Sequence, residues 1–214
     1  GVPLIQMFHT LGQLKNEVAR SPEELEPDLR IAEEERLVSA ADRLVASNPV
    51  ERAHLVWYYR AAAEGIRVIP CGVDTELFRP MDQGEAKAAL GLGPAPALLY
   101  VGRLSPIKGL ETLLEALPRL ARPGEPVPTL FVVGGDADEP QNGHVARLRE
   151  RVATLGLGGA VRFLGAQPQE GLRLYYAAAE VTVMPSYYES FGMVALEAMA
   201  CGRPVIASRV GGLT

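Results

Sequence analysis

Two cysteines are all this chain has. Cys71 and Cys201 stand far apart, without the spacing of metal ligands. A disulfide between them stays open, but the expectation is a reduced, cytoplasmic setting. Positive charge is also short: 21 Lys and Arg face 26 Asp and Glu, for a net charge of −5. No basic footprint for nucleic acid is present. No apolar run approaches the ~18 residues of a membrane-spanning helix, and no signal peptide stands at the start. Peripheral membrane contact stays open. Acidic residues form no long block. The longest run is Glu33-Glu34-Glu35, which reads as a solvated helix face. Internal repeats and low-complexity tracts are missing. The first residue is not Met, and the last are Gly211-Gly212-Leu213-Thr214, which reads as a fragment of a longer chain.

What is present is an ordinary globular composition, 48% apolar and 22% charged. The 214 residues leave room for one large domain or two small ones. From residue 97 onward, short apolar runs alternate with amphipathic ones. Strands are expected at 97–101, 129–133, 161–164, 181–184 and 204–207. Helices are expected at 110–121, 145–155, 169–179 and 191–200. In the first of these helices Leu110, Leu113, Leu114, Leu117 and Leu120 recur at helical spacing. Such alternation predicts a parallel sheet covered by helices on both faces. The first part carries strands at 4–8, 43–46 and 67–69, with helices at 29–41 and 49–63. Between the parts, Pro70-Cys71-Gly72-Val73-Asp74 and Phe78-Arg79-Pro80 suit a hinge. Surface loops are expected around Pro123, Gly124, Pro126 and Pro128, and over 134–143.

Ligands of open parallel sheets bind beyond the carboxyl ends of the strands. The loop after the strand at 97–101 reads Gly102-Arg103-Leu104-Ser105-Pro106-Ile107-Lys108-Gly109. Two cations in one short loop can converge on a diphosphate, Arg as a planar fork and Lys as a point charge. The alternative is a pair of ordinary surface cations. The loop after the strand at 181–184 reads Pro185-Ser186-Tyr187-Tyr188-Glu189-Ser190-Phe191-Gly192-Met193 and opens a helix. The unpaired amides of a helix start suit an anion. Glu189 stands just before that helix and Glu197 lies within it. A carboxylate does not bind phosphate but accepts hydrogen bonds from adjacent hydroxyls. Helix capping is the alternative for Glu189, and an exposed helix position for Glu197. The apolar neighbours of Glu197 favour a partnered, functional carboxylate. Cations for phosphates and carboxylates for sugars together describe a nucleotide-sugar site.

These motifs resemble the retaining GT-B glycosyltransferases of the large glycosyl transferases group 1 family. The residues that carry the likeness are Gly102-Arg103-Leu104 with Lys108-Gly109, Pro185-Ser186 with Glu189-Ser190-Phe191-Gly192, Glu197-Ala198, Gly202 and Pro204-Val205. Glu189 and Glu197 supply the family's E-x7-E spacing. Gly72-Val73-Asp74 with Phe78 and Pro80 matches the hinge, although Cys71 stands where the family often has Asn. The resemblance implies an α/β, GT-B fold of two Rossmann-like domains. Residues 1–70 would be the C-terminal part of the acceptor-side domain, 71–80 the hinge, and 81–214 a donor-binding domain truncated at its C-terminal end. It implies that Arg103 and Lys108 neutralise the leaving diphosphate and that Glu197 holds the ribose hydroxyls. Glu189 would face the transferred sugar, with Ser190 beside it. The amides of Phe191, Gly192 and Met193 would contact sugar and phosphates. Phe163 and Leu164 would lead to the loop that meets the base. Neither a metal nor a cofactor is called for, the nucleotide sugar being a substrate.

Phe8-His9-Thr10-Leu11-Gly12-Gln13-Leu14-Lys15-Asn16 is similar to a segment of the mycothiol-synthesis glycosyltransferases and the sucrose-phosphate synthases. By that likeness His9 lies near the reactive region of the sugar, and Thr10 with Arg30 near an acceptor phosphate. Between them, 21–28 is a stretch of variable type. Without the likeness, His9 reads as a satisfied histidine at a strand end. The implied reaction is transfer of a hexose or N-acetylhexosamine, with retention, from a UDP-linked nucleotide sugar. The acceptor would be a sugar, an inositol or a glycolipid, phosphorylated or not. Two alternatives stay open: a donor-binding fragment without activity of its own, and a GT-B epimerase or phosphorylase.

Overall fold

The computed structural model describes residues 1–19, 22–121, 127–135 and 143–214. The loops expected around Pro123–Pro128 and over 134–143, and the variable stretch 21–28, fall partly outside these residues. The chain divides into two units. Unit 1 comprises Gly1–Gly72, Tyr187–Gly192 and Arg209–Thr214; unit 2 comprises Val73–Ser186 and Met193–Ser208.

Unit 1 runs β1 (Ile5–Met7), α1 (Gly12–Val18), α2 (Asp28–Ala40), β2 (Arg43–Ala46), α3 (Pro49–Tyr59) and β3 (Ile66–Val68). The strands are parallel, in the order β1-β2-β3. Leu44 and Ala46 of β2 point into a core with Phe8, Leu11, Leu14, Val38, Leu55, Tyr59 and Ile66. The start of α3 is set by Asn48, whose side chain accepts from the Glu51 amide at 2.8 Å, with Pro49 in the first turn. Its end comes earlier than the apolar pattern through Ala63 suggests. Arg60 turns left-handed (φ 54°, ψ 29°), and the Ala61 amide folds back onto the Leu55 carbonyl at 3.1 Å. This closes the helix as a glycine normally would.

Unit 2 runs α4 (Gln83–Ala89), β4 (Ala97–Val101), α5 (Leu110–Ala116), β5 (Thr129–Val133), α6 (Gly143–Thr154), β6 (Val161–Gly165), α7 (Gln169–Ala178), β7 (Val181–Met184), α8 (Met193–Ala200) and β8 (Val205–Ala207). Its five strands are parallel, in the order β6-β5-β4-β7-β8. Successive strand residues feed two separate cores, as the two-residue period requires. Tyr100, Leu130 and Val132 join Leu110, Leu113, Leu114 and Leu148 on the face covered by α5 and α6. Leu99, Phe131 and Val133 join Tyr176, Ala179 and Ala198 on the face covered by α7 and α8. The sheet is thus wound on both sides, and β5 is buried almost throughout.

Three differences from the sequence expectation have local causes. The helix expected over 110–121 ends at Ala116 and tightens into a 3-10 turn, Leu117–Leu120, leaving Leu120 exposed. Pro118 has no amide hydrogen to continue the α-ladder. The helix expected from residue 191 begins at Met193, because Gly192 sits at φ +98°, outside helical space. Helix α4 was not expected at all, although Asp82 caps it by accepting from the Glu85 amide at 2.9 Å. Among the described residues, no helix is long and apolar enough to cross a membrane.

Candidate functional site

Strand order decides which loops can meet in unit 2. Running outward from β4, the chain goes first to β5 and β6, then returns to the other side for β7 and β8. The order reverses between β4 and β7, and ligands of such sheets bind at the carboxyl side of that reversal. A cavity of about 560 Å³ opens beside that point, at the carboxyl ends of β4 and β5. Its walls are the ends of β4 and β5, the loop after β6, and Leu172 of α7.

Three hydrogen bonds draw the loops together. The Gly102 amide donates to the Val133 carbonyl at 3.0 Å, and the Gly134 amide to the Gly165 carbonyl at 2.9 Å. The Tyr100 hydroxyl, rising from the buried face of β4, donates to the Arg103 carbonyl at 2.8 Å and fixes that loop from below. Gly134 makes the approach feasible. Its φ is +127°, and a Cβ there would lie 1.9 Å from the Gly102 carbonyl oxygen.

Arg103 and Ser105 line this cavity. The Arg103 side chain is exposed. The Ser105 hydroxyl is buried without a hydrogen-bond partner among the described residues. Lys108 closes the 3-10 turn Pro106–Lys108, half-buried, just beyond the lining residues. Phe163 and Leu164 do not line the cavity. Phe163 packs against the α5–α6 core, with the Arg149 guanidinium 5.3 Å above its ring. Leu164 turns to the opposite core, at a register shift in the pairing of β5 with β6. Alternation along β6 commits both side chains to the sheet faces, and Ala166 and Gln167 in the following loop reach the wall instead. Gln167 is held by its own hydrogen bond to the Leu164 carbonyl at 2.7 Å. Sequence reasoning missed Ser105 and Gln167; their position in strand-end loops was the available signal.

Glu197 lies on α8 and is buried, with 8% exposure, not on an exposed helix face. The Tyr176 hydroxyl of α7 donates to its Oε2 at 2.6 Å. Burial pushes the Glu197 carboxyl above its ordinary range, and the tyrosine hydrogen bond pulls it partly back. Tyr176 is fully buried, stacked edge-on against Phe78 at 5.9 Å. Its phenol is pushed far up, first by burial and then by the neighbouring carboxylate. Met193, the first residue of α8, is exposed.

Unit 1 holds the other candidates. Glu189, Ser190 and Phe191 are half-buried and Gly192 is buried. The Asn48 amide donates to the Ser190 carbonyl at 2.6 Å, and the Gly212 amide to the Glu189 carbonyl at 3.0 Å. Tyr188 packs against the unit 1 core, where burial pushes its phenol up to about 12. His9 is exposed just past β1. Thr10 and Arg30 meet directly: Arg30 Nη2 donates to the Thr10 hydroxyl at 2.9 Å and to its carbonyl at 3.3 Å. Arg30 also pairs with Glu34 at 2.9 Å and Glu26 at 2.8 Å. Glu34 accepts in addition from the Gly12 amide at 2.8 Å and the Tyr59 hydroxyl at 2.5 Å. Only 6% of Glu34 is exposed, so the solvated-face reading of Glu33-Glu34-Glu35 fails at its middle residue. Three converging donors keep that carboxylate satisfied.

Parallel sheets covered by helices, with a cavity beyond the carboxyl ends of β4 and β5, are those of Rossmann-like domains, and the fold is that of the GT-B glycosyltransferases. Residues 82–214 match the family described as Glycosyl transferases group 1, and residues 1–77 match Glycosyltransferase Family 4. The chain belongs to the glycosyl transferases group 1 family. It is 42% identical over 217 aligned residues to the D-inositol 3-phosphate glycosyltransferase of Acidothermus cellulolyticus, covering 100% of this chain and 48% of that protein. It is 44% identical over 221 to D-inositol 3-phosphate glycosyltransferase 2 of Catenulispora acidiphila, covering 100% of this chain and 51% of that one. Among solved structures it is similar to the sucrose-phosphate synthase of Thermosynechococcus elongatus, at a TM-score of 0.87 and 39% identity, over 98% of this chain and 51% of that one. The Anabaena HepE structure with UDP and glucose matches at a TM-score of 0.81 and 27% identity, over 99% of this chain and 54% of that one. The chain spans about half the length of these relatives.

Proposed function

We propose that unit 2 holds the nucleotide-sugar donor of a glycosyl transfer, with the diphosphate at Arg103 and Lys108 and the ribose at Glu197. The observation that carries this reading is the cavity at the β4 carboxyl end, walled by the Arg103 loop and of a size suited to a small-molecule ligand. A UDP-linked hexose or N-acetylhexosamine is the donor in this reading; HepE, solved with UDP and with UDP-glucose, supports it. The acceptor is a sugar, an inositol or a glycolipid. The D-inositol 3-phosphate glycosyltransferase relatives favour a phosphorylated inositol, placed near His9 and the Thr10–Arg30 pair.

Chemically, the departing nucleoside diphosphate gains negative charge as the glycosidic bond breaks. Fixed cations offset that charge without reorganising at the moment of reaction. Glu189 faces the transferred sugar, with Ser190 and the amides of Phe191, Gly192 and Met193 beside it, and the transfer retains configuration. No metal and no cofactor is assigned, so transfer is expected to persist in EDTA. A cytoplasmic location belongs to the same reading.

Calorimetric titration with UDP tests the donor site. Removing one charge-assisted contact costs about 1.5–3 kcal/mol, so Lys108→Ala should weaken UDP binding by roughly 10- to 100-fold. Failure of the unsubstituted chain to bind UDP, or equal binding by the variant, would sink the proposal.

A further inference from the structure

Glu197, the ribose ligand in the proposed reading, stands outside the residues that line the cavity and has one of its two oxygens already engaged. The Tyr176 hydroxyl, on a different helix, donates to Oε2 at 2.6 Å, and both residues are buried. The hydrogen-bond donor itself is held in place, since the Tyr176 ring is fully buried and packs edge-on against Phe78, and its hydrogen bond restricts the directions the carboxylate can take. Side-chain rotation of an unanchored glutamate would otherwise spread its acceptor lone pairs over many directions.

We propose that Tyr176 is the positioning residue for ribose recognition: it orients Glu197 so that Oε1 faces the donor hydroxyls. The inference rests on the reading of Glu197 as the ribose ligand. The hydrogen bond also bears on the charge of the carboxyl. Burial favours the protonated acid, which has less acceptor capacity, and the phenol hydrogen bond opposes it. Cys201, at the end of α8, also lies within electrostatic reach of Glu197. Its thiol is pushed up chiefly by burial and stays neutral, while Arg173 of α7 and Arg203 act in the opposite direction. Tyr176 is the hydrogen-bonding group that opposes the effect of burial on Glu197.

The test compares UDP with 2′,3′-dideoxy-UDP by calorimetric titration of the full chain from pH 5.5 to 8.5. The unsubstituted chain should prefer UDP by about tenfold or more, the scale of a hydrogen bond to a charged group. Tyr176→Phe keeps the ring and its contact with Phe78 but removes the donor. In that variant the preference for UDP should shrink toward unity, and the pH below which UDP affinity falls should move upward. Combined with Glu197→Gln, Tyr176→Phe should have no further effect on the preference. Replacing the Tyr176 phenol by a 3-fluorophenol, a stronger donor of the same shape, should move the pH profile downward.

A purely structural tyrosine would lower the melting temperature in Tyr176→Phe but leave both the preference and the pH profile where they were; that result overturns the inference alone. An unchanged profile in the fluorinated chain does the same, even if Tyr176→Phe does not fold. Absence of UDP binding in the unsubstituted chain removes the donor-site reading and this inference together.

Discussion

Glu197 costs the unliganded chain stability at neutral pH. Its folded carboxyl binds a proton more tightly than the unfolded one, because burial raises its pKa from 4.5. The stability contributed by the protonated form is fully present below pH 4.5 and is lost as pH rises through the raised value. Glu197→Gln removes that ionisation. The variant should melt above the unsubstituted chain at pH 7, by about 2–4 °C for each kcal/mol of the cost, and the gap should close below pH 4.5. Melting curves of both chains across pH check this; a gap independent of pH would mean that burial of the charge is not its source. The apolar neighbours of Glu197 already announced a partner in the sequence. Nothing there named Tyr176, which lies on α7, because its distance to Glu197 depends on how two helices share one sheet face. Glu34 shows the reverse case. In sequence it sits within an acidic run, and only the fold reveals the three donors around it.

At the scale of elements, the strands of unit 2 were the most legible part of the chain. Those expected at 97–101, 129–133 and 181–184 stand where the structure has β4, β5 and β7. Runs of Val, Leu and Phe bounded by turn residues leave little choice there. Helix ends were less legible, because Pro118, Gly192 and Arg60 act through backbone geometry more than through hydrophobic pattern. Gly134 belongs to this scale. Read from sequence it opens a surface loop; in the structure it lets the end of β5 touch the Arg103 loop. Gly134→Ala places a Cβ 1.9 Å from the Gly102 carbonyl oxygen, so one of the two loops must shift. A destabilisation of about 2–4 kcal/mol is expected, with weakened UDP binding. Urea denaturation and UDP titration measure the two effects. Unchanged values for both would refute the close approach.

For the whole molecule, each unit has a core of its own, and the cavity belongs entirely to unit 2. A ligand that binds only the folded form shifts the folding equilibrium by mass action. UDP at a hundredfold excess over its Kd should therefore stabilise the chain by about 2.7 kcal/mol. In thermal melts, the transition of unit 2 should rise with the logarithm of UDP concentration. A melt that ignores UDP at millimolar concentration contradicts the donor reading. The family was visible in the sequence because its motifs run through both units, from Phe8-His9-Thr10 to Glu197.

Strand and helix alternation, the parallel sheet and the loops that carry cations and carboxylates were determined by the sequence alone. Each depends on residue types within a window of a few turns, and local apolar periodicity suffices to set them. Only the tertiary structure decided the order β6-β5-β4-β7-β8, and with it which strand-end loops wall the cavity. It also decided the pairings of Arg30 with Thr10 and of Tyr176 with Glu197. These join side chains on separate elements, and their distances follow from how the elements pack, which no local pattern encodes.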